Sequence, residues 1–277
     1  MNTLPDAVRR HYETETAEAL VSKVTDALSS LPPGPVTAAQ LAGLDQFHVG
    51  GLAATADLAA LAGIQRGSRV LDAGSGLGGP SRYLADTCGC SVVGLDLAPS
   101  FVAVAGLLAG RAGLDGQVTY EAGNLLELPF ADASFDTVWT QHAVMNIRDR
   151  DRLYRGFRRV LRPTGRLAFH DVLAGDAQLP PYFPVPWAEG AGTSFLLTQA
   201  ETAAAMLRAG LKPDTWRDVT AVALALFAQP RPPSPGLSLS VVMGPRFMGM
   251  AANLARSLRE GRVRLVMGTC DAAPAAT

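Results

Sequence analysis

The densest chemistry in the chain lies where an apolar run meets a string of glycines. Val70-Leu71-Asp72-Ala73 ends in Gly74-Ser75-Gly76-Leu77-Gly78-Gly79-Pro80, the composition of a buried strand, a tight turn and the start of a helix. Gly74, Gly76 and Gly79 satisfy a G-x-G-x-x-G spacing, which lets backbone N–H groups approach a nucleotide-like ligand. That spacing alone fits several ligand classes. Asp72, two residues ahead of the first glycine, is more selective. In a turn built to hold pyrophosphate its carboxylate would repel the ligand.

S-adenosylmethionine has no phosphate and carries an ammonium and a sulfonium, so an acid beside the glycines suits it. A second acid, Asp96, ends Val93-Gly94-Leu95-Asp96, where it can accept hydrogen bonds from both hydroxyls of a ribose; the competing role is to cap the helix that follows. In Gly123-Asn124-Leu125 the side-chain oxygen of Asn124 can accept from an adenine amino group and the N–H of Leu125 can reach a ring nitrogen. Thr140-Gln141-His142 and His170-Asp171 close two further apolar runs and supply the best-placed bases. Side chains alternate along a strand, so His170 and Asp171 face opposite ways and do not share a task. Gly50-Gly51, in Asp45-Gln46-Phe47-His48-Val49-Gly50-Gly51, lets that segment fold over a ligand; otherwise it is an ordinary loop before a helix from about residue 52.

The elements that must position these groups alternate strand and helix from Ser68, which predicts a parallel sheet covered on both faces. Strands are expected at Arg69–Ala73, Ser91–Leu95, Gln117–Glu121, Thr137–Gln141, Arg166–Val172, Leu211–Val219 and Arg262–Met267. Helices are expected from Gly79 to Thr87, Pro99 to Ala112, Asp149 to Leu161, Thr198 to Ala209 and Ala221 to Phe227, with another ending near Glu260. Residues 1–30 read as one helix, broken by Leu31-Pro32-Pro33-Gly34-Pro35, that packs on its own domain or, in a homo-oligomer, on a neighbour. Pro230 to Pro235 reads as a linker, and the segment holding Met243, Phe247, Met248 and Met250 as irregular. Leu179 to Trp187, rich in proline and aromatics, reads as a lid or pocket wall.

The chain has 277 residues, 48% of them hydrophobic, and a net charge of -1, so it can bury a core but offers no positive field to nucleic acid or an anionic membrane. It contains no apolar run of about 18 residues and no signal-peptide layout at its start, which predicts a cytoplasmic protein. Cys88, Cys90 and Cys270 make neither a disulfide framework nor a metal cluster, and no metal is expected. Arg148, Arg150 and Arg246 could meet an anion, with Arg148 and Arg150 reading as a solvated helix start.

Four blocks in order, Val70 to Gly79, Val93 to Asp96, Leu128 to Asp136 and Arg159 to Leu167, resemble the class I S-adenosylmethionine-dependent methyltransferases. The chain is most similar to their small-molecule branch, with its ubiquinone/menaquinone-type, sarcosine/dimethylglycine and sugar O-methyltransferases. The resemblance implies an α/β, Rossmann-like, seven-stranded, mostly parallel sheet flanked by helices. It also implies an N-terminal helical cap over residues 1–60 and a core over 61–277, with lid insertions at about 174–198 and 228–256. It places Gln46, Phe47 and His48 near the methionyl end and Tyr12 near the methyl, and it favours Asp171 over His170 as a functional acid after strand five. Met145-Asn146 stands where some sugar enzymes of the branch carry a histidine pair, so that base is not carried over.

Together these readings set the expected cofactor contacts at Gln46, His48, Asp72, Gly74, Gly76, Gly78, Asp96, Leu97, Asn124, Leu125, Gln141 and His142, with His142, His170, Asp171 and Tyr12 as catalytic candidates. The expected reaction is methyl transfer to a small, largely apolar acceptor, on oxygen, nitrogen or carbon. An NAD(P)-dependent oxidoreductase, disfavoured by Asp72 and the lack of a Tyr-x-x-x-Lys pair, and a non-catalytic cofactor-binding subunit are the alternatives.

Overall fold

The computed structural model describes residues 3–13, 15–229 and 237–273. Four helices precede the first strand: α1 (Leu4–Tyr12), α2 (Ala17–Leu28), α3 (Ala38–Asp45) and α4 (Gly51–Ala62). The single helix expected over residues 1–30 is two. The Thr16 hydroxyl accepts from the N–H of Ala19 while its own backbone stays extended, and an N-cap of this kind starts a helix rather than continuing one. The sequence reading also missed α3, which opens on a capping box between Thr37 and Gln40.

From β1 (Arg69–Ala73) the chain alternates through α5 (Gly79–Cys88), β2 (Ser91–Asp96), α6 (Pro99–Arg111), β3 (Val118–Ala122), β4 (Phe135–Gln141), α7 (Arg150–Val160) and β5 (Leu161–Ala174). Then follow α8 (Gln199–Arg208), β6 (Leu211–Asp218), α9 (Thr220–Ala228), α10 (Leu239–Met243), α11 (Phe247–Arg259) and β7 (Val263–Ala272). One seven-stranded sheet results, in the order β3-β2-β1-β4-β5-β7-β6, with β7 antiparallel to both neighbours and β1 to β5 mutually parallel where they pair. This is the expected Rossmann-like sheet. Its central strands are nearly continuous apolar runs because helices cover both faces; Val70, Leu71, Val138 and Trp139 are fully buried.

Three boundaries differ from expectation. β5 starts at Leu161 rather than Arg166: its ladder steps from Phe135 opposite Leu161 to Thr137 opposite Arg166, and the exposed Arg162-Pro163-Thr164 form the bulge between them. β7 runs on to Ala272, since pairing with β5 on one side and β6 on the other satisfies its backbone along that length. The segment expected to be irregular around Met243 to Met250 is largely helical, as α10 and the first turn of α11. The expected linker at Pro230 to Pro235 lies outside the described residues. Among the described residues no helix is long and apolar enough to cross a membrane.

Strand order reverses between β1 and β4, and the connections leaving their carboxyl ends frame a crevice there. The resulting crevice receives Asp72 and the glycine turn from β1, Asp96 from β2, and Gln141 and His142 from β4.

Candidate functional site

A cleft of about 1130 Å³, counted to its open mouth, fills this crevice. One wall is the glycine turn. Gly74 has φ +82 and a Cβ there would stand 2.3 Å from the Cβ of Ala143, so both backbone conformation and close packing require glycine. Gly76 (φ +52) donates its N–H to Asp96 Oδ2 at 2.8 Å, which ties the turn to the end of β2. Gly78 does not line the cleft. A Cβ on it would overlap the hydroxyl of Tyr120, so its task is to admit that ring behind the turn.

Asp96 also accepts from the N–H of Ala98 at 3.0 Å, so it caps the turn into α6, and its two oxygens keep lone pairs on the cleft side of a network already fixed by backbone donors. The turn-holding role of this residue is thus met while its carboxylate still lines the cleft. Asp72 accepts from the Ser81 hydroxyl and is 1% exposed; burial pushes its carboxyl up to about 7 against that hydrogen bond, with Asp96 adding to the rise. Sequence reasoning missed a third acid. Asp45, at the end of α3, lines the cleft and forms a fully buried ion pair with Arg82 of α5 at 2.7 Å. Nothing in local sequence links residues 45 and 82; only the packing of α3 over the start of α5 joins them.

Asn124 and Leu125 line the cleft beyond β3, as does Leu97 after β2. Asn124 Oδ1 accepts from the N–H of Leu126 at 3.0 Å and keeps a second lone pair, so its oxygen as well as its amide nitrogen can meet a ligand.

The cleft floor is a cluster of three histidines from three distant segments. The rings of His48 and His142, His48 and His170, and His142 and His170 lie 6.1, 5.7 and 4.9 Å apart. Burial lowers the His48 imidazole to about 4 and lowers those of His142 and His170 well below their ordinary value, so all three are neutral near neutrality. Thr55 Oγ1 sits among Gln46 Oε1, His48 Nε2 and Gln141 Oε1 at 3.0, 3.1 and 3.3 Å. The Trp139 indole N–H donates to Gln141 Oε1 at 3.0 Å, which turns the Gln141 amide nitrogen toward His170 Nδ1. His142 takes φ +50, a strained conformation for a non-glycine residue, and thereby enters the cleft wall. Its backbone N–H donates to the carbonyl of His170.

Of the expected residues, Tyr12, His48, Asp72, Gly74, Gly76, Asp96, Leu97, Asn124, Leu125, Gln141 and His142 line one cleft. Gln46, Gly78, His170 and Asp171 stand behind its wall. His170 supports the His142 ring, while Asp171 points to the other face of β5, beside Arg150 and the backbone of Val144. Burial pushes Asp171 up to about 7, with Arg150 opposing. Arg150 is correspondingly 6% exposed, its guanidinium donating to the Phe195 carbonyl, which corrects the solvated reading of that residue. Arg246 pairs with Glu189.

The remaining wall is mostly apolar: Val8, Phe47, Phe101, Met145, Trp187 and Phe247 face the cleft. Tyr182 and Phe183 do not join it. Tyr182 lies between Arg256 and Arg262 near the surface, and Phe183 packs into a cluster around Val172. α1 is bound to the 179–198 segment by His11, whose Nε2 lies 3.0 Å from the Pro186 carbonyl, and by Tyr12 through Asn146. Among the described residues no group of histidines, cysteines or acids has the arrangement of a metal site, and all three cysteines are free.

Residues 71–169, from β1 to β5, match the family model described as a methyltransferase domain. Among curated proteins the chain is 34% identical over 165 residues to 27-O-demethylrifamycin SV methyltransferase of Amycolatopsis mediterranei, covering 59% of this chain and 61% of that protein. It is 36% identical over 110 residues to methyltransferase GfsG of Streptomyces halstedii, covering 40% of each. The chain thus spans about half the length of these relatives. In fold it is similar to geranyl diphosphate C-methyltransferase of Streptomyces coelicolor, solved with Mg2+, geranyl-S-thiolodiphosphate and S-adenosylhomocysteine. The TM-score is 0.68 at 21% identity over 98% of both chains. The matched stretch includes the glycine turn, Asp96 and His142, which all line the cleft or its turn.

Proposed function

We propose that the protein is an S-adenosylmethionine-dependent methyltransferase acting on a small, largely apolar acceptor. The charge of the cleft carries this reading. Asp72 and Asp96 line the glycine-turn side, and in their ionised form they attract a ligand bearing ammonium and sulfonium groups and repel a pyrophosphate, Asp45 being paired with Arg82. The named relatives are methyltransferases, one of them named for 27-O-demethylrifamycin SV, which supports the same reading.

In this assignment Asp96 takes the ribose hydroxyls, Asn124 and Leu125 the adenine, and Asp72, Gln141 and His48 the methionyl end, with Gln46 orienting His48 through Thr55. Gly74 and Gly76 admit the ligand to the turn. When bound, the cofactor supplies an electrophilic methyl on sulfur. The protein's own part is to hold the acceptor in line with that methyl and to exclude water, which is where most of the rate of such a displacement originates. Tyr12 and His142 face the reacting group, and His170 fixes the His142 ring. Asp171 acts one layer further out, holding Arg150 and the lid segment near Phe195.

Residues 61–277 form the core in this reading, and residues 1–60 with the insertions at 174–198 and 228–256 close its acceptor side. The enzyme is cytoplasmic and acts without nucleic acid; light scattering on purified protein decides whether it is a homo-oligomer. Calorimetry with S-adenosylmethionine and S-adenosylhomocysteine is the direct test, followed by mass detection of methylated products from a panel of alcohols, amines, thiols and isoprenoid alkenes. Binding of neither nucleoside rejects the proposal.

A further inference from the structure

Tyr12 comes from the end of α1 and Asn146 from the turn after β4, and their hydrogen bond has a direction. Asn146, 4% exposed, donates its amide nitrogen to two backbone carbonyls, those of Trp187 at 2.8 Å and Thr193 at 2.7 Å. Carbonyl oxygens only accept, so these two contacts fix which end of the amide is nitrogen and turn Oδ1 toward Tyr12. The phenol of Tyr12 meets that oxygen at 3.1 Å and must donate to it. Burial, with Asp96 nearby, raises the Tyr12 phenol far above its ordinary value, so it stays protonated and its one hydrogen is committed to Asn146. Tyr12 lines the cleft, and what its oxygen can offer a ligand is a lone pair.

Two other donors near this wall are also spent. The Trp187 indole N–H goes to Ser194 Oγ at 3.0 Å, and the His48 Nε2 proton is drawn to the Gly51 carbonyl at 3.0 Å, leaving Nδ1 of a cleft-lining ring as an acceptor.

We propose that Asn146 is a positioning residue that fixes Tyr12 as a hydrogen-bond acceptor, and that the group bound beside it is a donor, an alcohol or phenol O–H on an otherwise apolar molecule. This narrows the acceptor class of the proposed methyl transfer and rests on that reading for its place in catalysis. A carboxylate or a phosphate at this point would face lone pairs, and a bare alkene would leave them unused.

The test compares three matched probes, β-naphthol, naphthalene and β-naphthoate, by quenching of Trp187-dependent fluorescence in the wild type, Tyr12→Phe and Asn146→Leu. It is run on both the free and the S-adenosylhomocysteine-loaded protein. Naphthol is expected to bind about fivefold tighter than naphthalene, the ratio for one net hydrogen bond; that ratio is expected to fall to unity in Tyr12→Phe, whereas Asn146→Leu frees the phenol proton and is expected to raise naphthoate relative to naphthol. A merely structural role for Asn146 would weaken all three probes together and preserve their ratios in Asn146→Leu, which overturns the proposal. So does tighter binding of naphthoate than naphthol in the wild type, or no binding of naphthol. Because the ratio is also read on the free protein, failure of the nucleoside to bind rejects the methyltransferase reading without deciding this one.

Discussion

Gly74 and Ala143 touch across the base of the cleft, the first from the turn after β1 and the second from the turn after β4. A Cβ added to Gly74 would lie 2.3 Å from that of Ala143, and Gly74 also holds φ +82. The contact joins the two strand ends between which sheet order reverses. Gly74→Ala is therefore expected to lower stability by about 2 kcal/mol or more through strained backbone and overlap, and to abolish nucleoside binding. Adding Ala143→Gly removes the overlap but not the strain. Denaturant unfolding should show partial recovery in the double variant, and full recovery or none would show that only one of the two causes operates.

The ion pair between Asp45 and Arg82 is fully buried, and a buried charge deprived of its partner is costly. Arg82→Met is expected to destabilise the fold by about 3–5 kcal/mol, leaving Asp45 uncompensated next to the glycine turn. Asp45→Leu in the same chain should recover most of that loss, because the double variant buries no unpaired charge. A double variant no more stable than Arg82→Met alone would show that Arg82 acts through its contacts to Tyr120 and Ala105 instead.

These two relationships mark where the sequence was readable and where it was not. Strands β1, β2 and β4 are buried on both faces, so each appears as a short apolar run, and the acids and glycines at their ends stand out against it. The helices before β1 were less legible, because Thr16 and Thr37 are caps only if the chain turns there, and a threonine inside a helix looks the same. The histidine cluster and the Asp45 pair are invisible to spacing: residues 48, 142 and 170, like 45 and 82, meet only through tertiary packing. The local turn that ties Asn124 Oδ1 to the N–H of Leu126 was likewise not legible from spacing.

Asp96 offers a sharper test than simple deletion. Its two oxygens accept from the N–H groups of Gly76 and Ala98, so both ends of the side chain must be acceptors. Asp96→Asn places an amide nitrogen against one of those donors and is expected to weaken S-adenosylhomocysteine binding about as severely as Asp96→Ala, roughly 100-fold by calorimetry. Retained affinity in Asp96→Asn would mean that neither the turn nor the ribose depends on this carboxylate.

Asp72 sets a pH dependence with opposite signs for the free and the loaded protein. Burial raises its carboxyl from 3.8 to about 7 in the folded chain, so its contribution to stability is complete below the unfolded value and is lost as pH rises through 7. Asp72→Asn abolishes that loss, so the melting temperature of the variant relative to wild type is expected to rise by roughly 3 °C or more between about pH 6 and pH 8. Taking this difference cancels the histidines and Asp171, which are common to both chains. Affinity for the sulfonium nucleoside moves the other way, since the ionised carboxylate is the form that attracts it. Binding of S-adenosylmethionine relative to S-adenosylhomocysteine should strengthen across the same interval in wild type and stay flat in Asp72→Asn. A flat ratio in wild type would show that Asp72 stays protonated beside the bound ligand and supports the turn only through its hydrogen bond with Ser81.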